Sequence, residues 1–313
     1  MHRPCAGTWA AALLAVALAT ACATTAPQSP AGGPPPAASL PPVQAPRPKI
    51  GLVLGGGGAR GFAHIGVMRV LEQEKIPIDV IVGTSVGSLI GALYADTGSV
   101  LDCEYHALTI TQDDLFDYGA LSLMSGGFVK GEKLERFLER HLKNKSIEAM
   151  AVPFAAVAVD LRTGGTAVLD RGSAAQAVHA SAAIPGVFVP VEMNGRTYVD
   201  GGVTNPVPVD VARRKGADVV IAVAIPAAIP AQTPRNPVSV VYHAISIMAA
   251  EIGRLRLADA DVAITPEVGD VAYDDFSRKK ELIDAGTRAA KAALPAIRAA
   301  IERATAPAGE PRP

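Results

Sequence analysis

Ile50-Gly51-Leu52-Val53-Leu54-Gly55-Gly56-Gly57-Gly58-Ala59-Arg60-Gly61 is the stretch on which the fold turns. A short apolar run stops at consecutive glycines, and residues 64–74 then carry Ile65, Met68 and Leu71 at helical spacing. This predicts strand, glycine turn, helix. The same unit follows at once. Val80-Ile81-Val82 ends at Gly83, and residues 88–94 form a small-residue helix with Leu89 and Leu93 on one face. Two such units in succession predict an α/β protein whose central sheet is mostly parallel and covered by helices on both faces, a three-layer α/β/α sandwich.

Outward from this core, further strands are expected at 154–159, 166–169, 197–199, 219–223 and 262–264. Helices are expected at 131–142, 173–182, 238–257 and 278–303. The folded domain is placed at 49–303, with a Pro-rich tail at 304–313. No internal repeat is found.

The N-terminal region reads differently. Residues 10–21 are small and apolar, too short a run for a bilayer span of ~20 residues but suited to a secretory signal. Leu18-Ala19-Thr20-Ala21-Cys22 is similar to a bacterial lipoprotein cleavage site, which makes 1–21 a signal peptide and Cys22 a lipidated first residue. Residues 22–48 then form a tether of Pro, Ala, Gly, Ser and Thr, a composition that cannot offset the entropy of ordering. Cleavage there removes Cys5 and leaves Cys103 as the only thiol, so no internal disulfide is expected. The resemblance implies a lipid-anchored protein of the bacterial cell envelope. Ala23, where similar lipoproteins retained in the inner membrane carry aspartate, points to the outer membrane facing the periplasm.

A formal net charge of −1 argues against nucleic acid as a partner. The glycine loop has two readings. Counted from Gly56 it satisfies the dinucleotide pattern, yet the acidic residue such a site wants after the second strand is absent: Val82 leads into Gly83-Thr84-Ser85. The other reading is an oxyanion site, in which side-chain-free backbone lets several N–H groups converge on one negative oxygen. Arg60 would add charge or brace the loop.

Gly83-Thr84-Ser85-Val86-Gly87 is a G-x-S-x-G elbow between a strand and a helix, the context that exposes a serine hydroxyl as a nucleophile. The serine needs a base. His64, His179 and His243 fall inside expected helices, and His106 and His141, flanked by charged residues, are expected at the surface. Asp200 ends an apolar strand and precedes Gly201-Gly202, so it offers a carboxylate where the backbone bends freely. A turn-capping aspartate is the competing explanation.

Together the Gly56–Gly61 motif, the Ser85 elbow, Asp200-Gly201-Gly202 and the intervening Ala180-Ser181-Ala182-Ala183-Ile184-Pro185-Gly186 resemble the patatin-like phospholipase family, over roughly residues 50–264. The resemblance implies Ser85 as nucleophile and Asp200 as base. It also implies an oxyanion site of the Gly56, Gly57 and Gly58 amides with Arg60, and chemistry that needs no cofactor or metal. The expected substrate is a phospholipid or other acyl-ester lipid at a membrane surface. Two rivals stay open. One is a Ser-His-Asp esterase of the α/β-hydrolase type using Ser85, Asp200 and His243; the other is a non-catalytic lipid-binding module anchored through Cys22. Residues 112–130 are either a lid or an ordinary connection.

Overall fold

The computed structural model describes residues 47–115, 129–226 and 237–306. The expected signal peptide, Cys22 and the tether therefore lie outside the described residues, as do most of 112–130 and the last residues of the tail.

The first unit is β1 (Ile50–Leu54) and α1 (Ala63–Gln73), joined through a 3-10 turn at Gly58–Phe62. The second is β2 (Val80–Thr84) and α2 (Val86–Thr97). Then come α3 (Val100–Thr109), α4 (Gln112–Leu115), α5 (Glu132–His141), β3 (Phe154–Asp160), β4 (Thr166–Leu169) and α6 (Ala174–Ala182). The chain continues through β5 (Val191–Met193), β6 (Arg196–Asp200), α7 (Val209–Arg214) and β7 (Val219–Val223). It ends with α8 (Pro237–Leu257), β8 (Val262–Ile264) and α9 (Lys279–Thr305).

The strands make one eight-stranded sheet, hydrogen-bonded along the path β5-β6-β3-β2-β1-β7-β8, with β4 also on β3. The β3-β2-β1-β7-β8 stretch is parallel, and β4, β5 and β6 are paired antiparallel. Parallel strands need both faces covered, and the alternation along β1 shows how. Ile50, Leu52 and Leu54 point into a large core with α1, α2, α3 and α9, while Val53 points into a smaller valine-rich core with α7. Each fully buried Leu or Ile there contributes about 1.5–3 kcal/mol through removal from water.

Four short elements extend the sequence expectation. The α3 helix is capped by Ser99, whose Oγ accepts the Asp102 N–H at 3.3 Å. The β5-β6 hairpin turns at Asn194-Gly195, with φ of 54° and 72°, the pair of positive values a two-residue hairpin wants. The other two, α4 and α7, have only four and six residues. One expectation is corrected: His106 and His141 are half-buried. His141 lies one helical turn after Phe137 and stacks on its ring at 4.2 Å, and His106 packs edge-on against His141 at 5.1 Å.

Candidate active site

Strand register brings the two expected catalytic residues together. β2 runs parallel to β3 and stops with Thr84 opposite Val157. β6 runs antiparallel to β3 and stops with Asp200 opposite Ala158. Since β4 pairs with Ala156, Val157, Ala158 and Val159, it occupies one edge of β3, and β2 and β6 must share the other. The two strands therefore approach head-on and end at adjacent positions. Ser85 follows one end and Asp200 is the other.

Ser85 is held at φ 55° and ψ −126°, a strained conformation for a non-glycine residue. The crossing is tight enough that only glycine fits on either side. A Cβ on Gly83 would lie 2.4 Å from the Gly87 carbonyl oxygen, and one on Gly87 would lie 2.0 Å from that of Leu54. The Ser85 N–H, outside both β2 and α2, donates to Ser181 Oγ at 3.0 Å, and the Ser85 carbonyl accepts from Ser88 Oγ at 2.6 Å and from the Ser88 and Leu89 amides. Its position at the N-terminus of α2 adds positive potential where negative charge would develop.

Asp200 is 5% exposed, and this burial pushes its carboxyl up to about 6, opposed by the Ser85 hydroxyl and the Gly202 amide. The Gly202 N–H donates to Oδ1 at 2.6 Å. Oδ2 has no partner of good hydrogen-bond geometry among the described residues, so the Ser85 hydroxyl faces the carboxylate in a loose contact. Gly201 packs against Val157: a Cβ there would sit 2.2 Å from its carbonyl oxygen.

The glycine loop closes the third side. The Gly56 N–H is already engaged, donating to the Pro206 carbonyl at 3.1 Å, because the loop's first turn seals the end of β1 against that segment. The amides of Gly57 and Gly58 have no acceptor among the described residues. Arg60 is buried and braces the loop, with Nε donating to the Gly57 carbonyl at 3.1 Å and a terminal nitrogen to that of Pro226 at 2.7 Å. His64, fully buried, is pushed down to about 4 and is therefore neutral. It donates from Nε2 to the Gly55 carbonyl at 2.8 Å, a brace that a helical histidine in a glycine-rich context does not announce in sequence.

Ser85, Asp200, Gly202 and the Gly56, Gly57, Gly58 and Arg60 loop all line one cleft of about 410 Å³. Its other walls are mainly apolar: Ile184, Pro185, Val203, Ile225 and, from α8, Ile245, Ala249, Ala250 and Leu257. No histidine is among the described lining residues. His179 is instead paired through Nδ1 with Glu135 at 2.6 Å, and His243 is a half-buried residue of α8. No cluster of His, Cys, Asp and Glu fit to hold a metal occurs among the described residues.

The patatin-like phospholipase family model matches residues 52–213, more than half of the 313-residue chain. The chain belongs to the patatin-like phospholipase family. This patatin-like chain is 35% identical over 178 residues to an uncharacterized NTE family protein of Mycobacterium bovis, covering 57% of this chain and 49% of that protein. It is 36% identical over 184 residues to the human patatin-like phospholipase domain-containing protein 6, covering 56% of this chain and 13% of the relative. The match thus spans about half or less of these relatives' own lengths. Among solved structures, VipD from Legionella pneumophila aligns with a TM-score of 0.50 at 15% identity, covering 80% of this chain and 67% of that one. That likeness concerns the fold alone.

Proposed function

We propose that this protein is a serine lipid acyl hydrolase of phospholipase A or esterase type, acting through a Ser85–Asp200 dyad. The observation that carries the reading is the head-on meeting of β2 and β6 on β3, which brings a strained, buried turn serine beside a buried carboxylate with an oxygen that lacks a partner of good geometry among the described residues. Family membership and the apolar cleft support an acyl-ester lipid as substrate.

Ser85 Oγ attacks the ester carbonyl carbon while Asp200 Oδ2 takes the hydroxyl proton. The negative oxygen of the tetrahedral intermediate is met by the Gly57 and Gly58 amides, the two loop amides that have no acceptor among the described residues. Collapse expels the alcohol, which takes the proton from Asp200, and leaves an acyl-enzyme. Water then gives a proton to Asp200 and attacks the acyl carbon. The fatty acid departs and Ser85 recovers its proton. Arg60 holds the loop from beneath. A raised Asp200 pKa makes the carboxylate a better proton acceptor than an ordinary aspartate, and activity should rise with pH through about 6.

The test is labelling of the full chain with a fluorophosphonate probe, beside hydrolysis of a soluble ester. Labelling should map to Ser85, and Ser85→Ala and Asp200→Asn should each lose about a thousand-fold or more in kcat while unfolding cooperatively. Activity close to the starting value in either folded variant removes the dyad, and a dead His243→Ala variant would favour the Ser-His-Asp rival. No labelling of the folded protein would favour the binding module. Lipidation at Cys22, and with it attachment to the outer membrane, is part of the proposal. It rests on the Leu18–Cys22 pattern, and radiolabelled fatty acid incorporation that survives Cys22→Ser would exclude it.

A further inference from the structure

The segment that ends α6 touches both members of the proposed dyad through its backbone and one hydroxyl. Ser85 cannot satisfy its N–H within β2, which stops at Thr84, or within α2, of which it is the N-cap. The acceptor is Ser181 Oγ, at 3.0 Å. The Ser181 hydroxyl proton goes in turn to the Val157 carbonyl at 2.6 Å, the β3 position where β2 ends. Both capacities of the hydroxyl are used and the side chain is 0% exposed, so its rotamer is fixed. Two residues later the Ala183 carbonyl accepts the Asp200 N–H at 2.9 Å. The next two residues, Ile184 and Pro185, are walls of the cleft.

We propose that Ser181 is a positioning residue: with Ala183 it forms a clamp that sets the spacing of Ser85 and Asp200 across β3. The proposal rests on the dyad reading. A strained nucleophile turn relaxes if its one outward N–H loses its partner, and relaxation moves Oγ away from the carboxylate. Ser181 touches no reacting atom and acts only through Ser85. Because the clamp continues into Ile184 and Pro185, an acyl chain lying against those residues bears on the same segment that holds the dyad.

The experiment compares Ser181→Ala and Ser181→Cys with the parent chain on p-nitrophenyl butyrate, with Ser85→Ala alongside. Ser181→Ala should lose about 10- to 100-fold in kcat, the scale of a misplacement on the order of 1 Å, with KM little changed. Its acid limb should also move to higher pH. The groups facing Asp200 are the Ser85 hydroxyl and the Gly202 amide, with Arg60 on the same cleft, and a weakened Ser85 contact lets burial raise the carboxyl further. Ser181→Cys keeps the volume but offers a weak acceptor, so its kcat should fall between the other two. It also decides the matter should Ser181→Ala fail to fold. Parent-level kcat in either folded variant, or a loss confined to KM, overturns the clamp. Such a result beside an inactive Ser85→Ala removes the clamp alone, whereas retained activity in Ser85→Ala removes the dyad beneath it.

Discussion

Two glycine-bearing turns built from the same strand-turn-helix grammar differ in what glycine is for. In the elbow, backbone meets backbone: the Gly83 and Gly87 positions are filled by the Gly87 and Leu54 carbonyls, which cannot rotate aside. In the loop at residues 55–58 the pressure is uneven. A Cβ on Gly56 would meet the Ser85 Cβ at 3.4 Å, an ordinary contact, and one on Gly57 would meet the Ile225 side chain at 2.6 Å. Gly58, at φ 60° and with the Tyr273 carbonyl 2.4 Å from a Cβ, is pinned by backbone as the elbow is, and Gly55 is held close by the Val223 and Pro206 carbonyls at 3.0 and 3.2 Å. The elbow needs glycine to exist at all, whereas the front of the loop needs it chiefly to leave amides and space beside the nucleophile.

The strongest way to break that contrast is Gly87→Ala. A methyl 2.0 Å from the Leu54 oxygen forces β1 and α2 apart in the middle of the sheet, and the expected cost is about 4 kcal/mol or more. Chemical denaturation should show a protein largely unfolded or expressed only as aggregate. A cooperative transition near that of the parent would mean that the elbow is not held by backbone contact.

Both turns are legible in the sequence because their signals are local: an apolar run, glycines, and helical spacing within a few residues. The parallel sheet and the strands at 154–160, 219–223 and 262–264 are legible for the same reason. Local signals for two further elements were also present, the Ser99-x-x-Asp102 cap and the Asn194-Gly195 turn. What a sequence pattern does not carry is the partner of a given N–H. Gly56 and Gly57 look alike in a row of glycines, yet one amide is closed by Pro206, distant in sequence, and the other has no acceptor among the described residues. Ser181 sits inside a recognisable segment, but its hold on Ser85 exists only once β3 has brought the end of α6 beside the end of β2. The Asp200 carboxyl is similarly unreadable, since its raised pKa comes from burial by elements spread across the chain.

Asp200 sharpens the contrast from the side of stability. In the unfolded chain its carboxyl has the ordinary value of 3.8, and in the fold it titrates at about 6. The folded state therefore binds the proton more tightly, so this group's contribution is fully present below pH 4 and is lost as pH rises through about 6. At pH 7 the buried carboxylate is a net cost, on the order of 3 kcal/mol. Asp200→Asn keeps an acceptor for the Gly202 N–H and removes the charge, so it should be inactive yet more stable than the parent at pH 7 by up to about that amount. The advantage should vanish near pH 4. Urea unfolding at both pH values measures this, and a variant less stable than the parent at pH 7 would show that the carboxylate is better solvated in its pocket than its burial implies.

The finest test is Gly56→Ala, where the comparison predicts a loss of rate without a loss of fold. The φ of Gly56 lies outside the left-handed region that favours glycine, so alanine is conformationally admissible there. Its methyl would lie at 3.4 Å from the Ser85 Cβ and at 3.8 Å from the Thr84 carbonyl, close enough to touch and far enough not to displace either. The engaged Gly56 N–H, donating to Pro206, is untouched by the change. The methyl instead occupies space beside Ser85 that an ester carbonyl must enter on its way to the Gly57 and Gly58 amides. About a 10-fold fall in kcat/KM on a soluble ester is expected, the modest scale of a misplaced reacting group, with the unfolding midpoint nearly unchanged. If the midpoint falls as far as it does for Gly87→Ala, the front of the loop is as rigidly packed as the elbow and the division between the two turns is lost. Should neither midpoint nor rate move, the substrate carbonyl approaches from another side, and the oxyanion donors would have to be sought away from Gly57 and Gly58.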